Sequence, residues 1–204
     1  MPPGVTAATG MDALTHAVES YLSLAANPVS DAINVKVVSM IGGSLPAAYD
    51  RGADMEARGA MAVASTLAGA AFSQTGLGMV HGFAHPVGAR AGLAHGLANA
   101  IMLPRIMEAC AETAPQPYAT LAREVGLAVP VCDGAGDAEA AGVLVSAVEA
   151  LRAKLGIPAS LSEAGVPVST LSGILADAQS YRNRASSPRA FSDEELEALL
   201  DSMY

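Results

Sequence analysis

The 204-residue sequence is 51% hydrophobic, 4% aromatic and 15% charged, with three Phe, no Trp and a net charge of −9. Its eleven Lys and Arg are scattered, which excludes a nucleic-acid surface, because counterion release needs basic groups in clusters. Roughly a fifth of the residues are Ala, a helix former, and the aromatic residues that strands favour are thin, so an all-β fold and a disordered chain are excluded.

Apolar spacing at Leu14, Ala17, Val18, Tyr21 and Leu22 predicts a first helix over about 7–24, closed by Asn27-Pro28. Ser30-Asp31 is a candidate cap for a second helix running through Val35, Val38 and Ile41 to about 49. Residues 50–54 read as a polar turn. A third helix over 55–73 is built from small residues and lacks a polar face in its second half, which predicts an interior position. Its apolar run, 59–72, is roughly four residues short of the ~18 that a membrane span needs. No membrane segment is expected.

Glycines at 76, 78, 82, 88, 92 and 96 punctuate the next stretch, and Arg90 is its one charged side chain between Arg58 and Arg105. His81 and His85 share a helical turn, with Pro86 expected to end or kink the helix there. A helix over 97–111, bent near Pro104, precedes shorter helices at about 117–125, 138–155, 168–182 and 192–203. Ser192 and Glu195 give the last of these a capping box. The weakest join is 129–137, with Pro130 and two Gly, a candidate hinge between helical subdomains. The sum is an all-α fold, a single helical bundle of about eight helices spanning 1–204.

No basic segment followed by an apolar run opens the chain, so no signal peptide is visible. Cys110 and Cys132 are too few for a disulfide framework and read as small core residues, in keeping with a reducing, cytoplasmic location.

The histidines carry the chemistry. Asp12 and His16 stand four apart in a helical segment, so both project from one face. His81 and His85 repeat that spacing, and a Gly-rich turn can fold His95 back toward His81. Imidazoles with one carboxylate suit a single Zn or Fe ion. Each piece alone has a plainer reading: His16 or His95 as a hydrogen-bonded core histidine, Asp12 as a first-turn helix residue.

Other sites fall away. The pair His81 and His85 lacks the Glu of H-E-x-x-H, and paired Glu-x-x-His motifs for a di-iron bundle are missing. Gly42-Gly43-Ser44 has no preceding strand and reads as a packing site or helix end, not a phosphate loop. Ser65 and Ser73 lack the G-x-S-x-G context of a hydrolase.

Three segments then carry a resemblance: 6–21 (TAATGMDALTHAVESY), 76–89 (GLGMVHGFAHPVGA) and 94–104 (AHGLANAIMLP). In order and spacing they resemble the signature segments of the iron-containing (group III) alcohol dehydrogenases, in their C-terminal metal-binding helical domain. Segment 155–166 (LGIPASLSEAGV) is similar to the family's late helical region. The likeness is weakest over 179–190, where Asn183-Arg184 and Pro188-Arg189 depart from the usual Asn-Pro-Arg run.

The resemblance implies a dehydroquinate synthase-like helical fold. It implies that Asp12, His16, His81 and His95 ligate a divalent metal, Fe2+ or alternatively Zn2+. It further implies that His85 sits by the nicotinamide of NAD(P) as a catalytic proton relay, and that Phe72 lines the substrate cavity. The activity implied is oxidation of small primary alcohols or diols to aldehydes, or the reverse, by hydride transfer to NAD(P).

Family members place an N-terminal NAD(P)-binding domain ahead of this region. The chain is therefore expected to be the metal half of such an enzyme, inactive alone. Its expected partners are a small alcohol or aldehyde, and either a second copy (a homodimer) or a separate nucleotide-binding domain. Two other readings are a non-catalytic assembly module stapled by a metal, and a metal hydrolase with His85 as base.

Overall fold

A computed structural model describes residues 1–126 and 136–204. Among the described residues the regular structure is helical: α1 Pro3–Leu22, α2 Pro28–Asp50, α3 Met55–Thr75, α4 Met79–Ala91, α5 His95–Ala111, α6 Pro115–Glu124, α7 Asp137–Lys154, α8 Leu171–Gln179 and α9 Asp193–Met203. Single 3-10 turns occupy Val168–Thr170 and Arg184–Ser186. The expected hinge at 129–137 lies, apart from Gly136 and Asp137, outside the described residues, as does Cys132. No helix among the described residues is long and apolar enough to cross a membrane.

α1 is the central post, packed on α2, α3 and α5, while α4 lies between α5 and α8. Close approach is achieved with small residues. A Cβ at Gly10 would strike Leu45 of α2, and one at Gly96 would strike the Ala8 carbonyl of α1. Met11, Leu14 and Val18 of α1 and Ile101, Met102 and Leu103 of α5 meet in the core that these approaches create.

Four local expectations are revised. Asn27, not Ser30, caps α2; its side chain accepts from the Val29 and Ser30 amides, and Ser30 completes a capping box at the third helical position. Gly42 and Gly43 lie within α2 and have no neighbour within 4 Å of a Cβ, so they are neither a packing contact nor a helix end. α4 continues past Pro86 to Ala91, because Phe83, Ala84 and Val87 are fully buried and packing outweighs the lost backbone bond. α3 is not interior: it buries one stripe, Ala57, Ala64, Ala68 and Ala71, and leaves Val63 51% exposed. The capping box at Ser192 and Glu195 is present as expected.

Candidate metal centre

Three helices bring the expected ligands to one point. The i, i+4 spacing on α1 presents Asp12 and His16 together, the first turn of α4 supplies His81, and α5 opens on His95. The chain reverses between α4 and α5 over Gly92, Leu93 and Ala94, with Gly92 in the left-handed region (φ 70°) that disfavours other residues. The missing side chain of Gly96 lets the start of α5 seat against α1, which carries His95 to Asp12.

One ligand atom from each of Asp12, His16, His81 and His95 lies within 4.8 Å of all the others. Asp12 Oδ1 is 3.5 Å from His95 Nε2, 3.8 Å from His16 Nε2 and 3.8 Å from His81 Nε2. A tetrahedral ion at the usual metal–nitrogen and metal–oxygen lengths sets its ligand atoms roughly 3.4 Å apart, so the spacing suits one ion. Exposure is graded across the cluster: His81 is 1% exposed, His16 19%, Asp12 22% and His95 42%. The centre is therefore closed behind and open toward His95.

The donor set also fits a cation chemically. Burial foremost lowers the His16 pKa to about 4, against the raising effect of Asp12, so its imidazole is neutral and free to ligate near neutral pH. Four electron-rich atoms face one another with few protons between them. The amide of buried Asn99 partly fills that deficit, its Nδ2 2.5 Å from Asp12 Oδ1 and 3.2 and 3.1 Å from Nε2 of His81 and His95. Asn99 Oδ1 is buried without a partner. No Lys or Arg pairs with Asp12 among the described residues.

The two other expected site residues flank this cluster. His85 is exposed and stacks on His95, with ring centroids 5.3 Å apart, while its edge meets Tyr181 at 6.0 Å. Its pKa is lowered by burial first and then by His81 and His95. Phe72, half-buried near the end of α3, tilts over His16 at 4.5 Å.

Sequence reasoning passed over Asn99 and Glu19. Asn99 follows His95 by four residues on α5, and Glu19 follows His16 by three on α1, so helical spacing could have found both. Glu19 Oε2 lies 2.6 Å from His81 Nδ1, on the ring edge facing away from the cluster.

An Asp and three His converging where three helices meet define a candidate mononuclear metal centre in an all-helical domain. The chain belongs to the Fe-containing alcohol dehydrogenase family, its residues 6–204 matching the family's C-terminal region. It is similar to lactaldehyde reductase of Escherichia coli (strain K12), 42% identical over 166 residues that cover 81% of this chain and 42% of that protein. It is also similar to 1,3-propanediol dehydrogenase of Klebsiella pneumoniae, 37% identical over 203 residues that cover 100% of this chain and 52% of that one. The alcohol dehydrogenase from Oenococcus oeni superposes with a TM-score of 0.93 at 34% identity, over 100% of this chain and 52% of the other. The chain thus spans about half the length of the curated relatives it matches.

Proposed function

We propose that Asp12, His16, His81 and His95 bind one divalent ion, Fe2+ or alternatively Zn2+, and that the chain is the metal-bearing half of an NAD(P)-dependent alcohol dehydrogenase. The convergence of their four ligand atoms within 4.8 Å carries the reading. Its substrates are small primary alcohols, diols and the matching aldehydes, in line with the lactaldehyde and 1,3-propanediol enzymes it resembles.

A bound divalent ion supplies Lewis-acid polarisation of the substrate oxygen. The chain's own residues do the rest. Asp12 and the three imidazoles would hold the ion, and the exposed flank at His95 leaves the cluster accessible to substrate on that side. Phe72, tilted over His16, would line the substrate cavity with an apolar face and keep water from the reacting carbon. His85, beside His95, accepts or returns the alcohol proton as a neutral imidazole. His85 would lie beside the nicotinamide of NAD(P), which would supply the hydride acceptor when bound.

Metal analysis of the purified chain beside an Asp12→Ala/His81→Ala variant tests the centre. Near-stoichiometric metal is expected in the parent and little in the variant; equal contents in both would overturn the assignment. With NAD(P) and a short diol, the 204-residue chain by itself is expected to show no turnover.

A second reading, a metal-stapled assembly module, is favoured by the exposed apolar flank of α3 around Val63. Light scattering tests this reading: a strictly monomeric chain would overturn the module, which needs a covered surface, whereas the dehydrogenase half is compatible with a homodimer.

A further inference from the structure

Glu19 is the least expected buried group in the protein. It is 8% exposed, on the last turn of α1, and it lines a cavity of about 20 Å³ with Val18, Met79, Leu103, Met107 and Tyr118. A carboxylate in such surroundings needs partners, and no Lys or Arg pairs with it among the described residues. Its partners come instead from the start of α4. Oε1 accepts the Val80 amide at 2.6 Å, and Oε2 lies 2.6 Å from Nδ1 of His81.

The start of α4 is shaped to receive it. Gly78, the residue before the helix, offers no capping side chain, so the Glu19 carboxylate serves as the cap from another helix. A Cβ on Gly78 would stand 3.0 Å from Glu19 Oε1, so the absence of a side chain there makes room for the carboxylate. Three features of α4 thus converge on one group of α1: the bare Gly78, the free Val80 amide and the His81 ring.

We propose that Glu19 is the positioning residue of the metal centre, fixing the His81 tautomer and ring plane so that Nε2 presents its lone pair to the ion. The inference rests on the metal-binding reading above. By accepting the Nδ1 proton, Glu19 keeps the ring's remaining proton off the atom that must ligate, the arrangement that metal-bound histidines generally require.

Glu19→Gln tests this while keeping the shape. One of the two oxygens becomes an NH2 donor. Turned toward His81, it favours the tautomer with the proton on Nε2, which cannot ligate; turned toward Val80, it sets donor against donor. The expected result is a 10- to 100-fold loss of Co(II) affinity in a competition titration. In the metal-free proteins, imidazole 15N spectra should show His81 protonated at Nδ1 in the parent and shifted toward Nε2 in Glu19→Gln. A merely structural role for Glu19 would leave the tautomer unmoved.

Gly78→Ala supplies a second variant that leaves Glu19 in place but crowds its oxygen, with a smaller loss of affinity expected. Parent-like Co(II) affinity and His81 tautomer in Glu19→Gln would overturn the inference alone. If Glu19→Gln does not fold, parent-like affinity in Gly78→Ala overturns it. A parent chain that takes up no Co(II) overturns the metal centre and this inference together.

Discussion

Two regions of this protein handle charge in opposite ways. Around the His cluster, Asp12 and Glu19 are partnered by imidazoles, an amide side chain and backbone N–H, and among the described residues by no Lys or Arg. In the C-terminal third, guanidinium groups meet carboxylates repeatedly: Arg152 with Glu149, Arg184 with Asp193, Arg189 with Glu195, and Arg90 of α4 with Asp177 of α8. One region is closed by its own cations. The other is left short of one positive group, and its ligand atoms are spaced for a metal. If the proposed ion is bound, the difference confines its contribution to stability to the region around the His cluster.

The largest test of that contrast is metal itself. Stripping the ion should lower the melting temperature of the parent chain, and restoring it at a hundred times its Kd should return about 2.7 kcal/mol. For a domain of this size that is roughly 5–10 °C. The Asp12→Ala/His81→Ala variant should melt at one temperature with or without metal in the same calorimetric scans. A metal-dependent shift that survives in the variant would place the ion elsewhere.

Next comes Gly96→Ala. The added methyl would meet the Ala8 carbonyl, a backbone atom that cannot swing aside, so α5 must move off α1. Overpacking of this kind costs ~1–3 kcal/mol. Because His95 is the neighbouring residue, Co(II) affinity should fall along with the melting temperature. Loss of stability with unchanged affinity would show that the cluster does not depend on this approach.

How far the sequence foretold these two regions follows from how local their signals are. Asp12 with His16 is written on one helix face, and the Gly-rich reversal before His95 is visible as composition. The helices follow from Ala content and apolar spacing, with bounds off by a few residues. Helical spacing sets Glu19 near His16 and Asn99 near His95, but the further partners His81 and Asp12 lie 62 and 87 residues away on other helices, so spacing alone did not mark their role. Pro86 left open whether α4 ends or only kinks, because the burial of Phe83 and Val87 that carries the helix past it is not a local signal. α3 misled because a helix of small residues reads as interior by hydropathy, yet it buries only an Ala stripe. The pair of Arg90 with Asp177 was illegible for a like reason, since the two are 87 residues apart.

The C-terminal region should respond in the opposite sense. Arg152, 6% exposed, bonds the Ile157 carbonyl and both oxygens of Glu149. Arg152→Met leaves that carbonyl without its donor, which costs ~1–2 kcal/mol in a denaturant melt. Co(II) affinity should be unchanged. A weakened metal site in this variant would mean that the two regions are coupled through α7 and α5, which pack on each other.

The smallest effect is expected at α9, and its pH dependence separates the regions most cleanly. Ser192→Ala removes a cap worth ~1 kcal/mol and should lower the melting temperature by roughly 2–4 °C, with no change in metal binding. The other half of the box is the Glu195 carboxylate, held below its ordinary pKa by the Ser192 amide first and by Arg189 second. A carboxyl whose pKa is lowered on folding adds stability above its unfolded pKa, and that stability is lost as pH falls through the folded value. Melts of the parent and Glu195→Gln should therefore differ at neutral pH and converge in acid. The convergence should be the same in metal-loaded and metal-free protein, because Glu195 pairs with Arg189 and not with the cluster. A convergence that moved with metal would contradict the separation of the two regions.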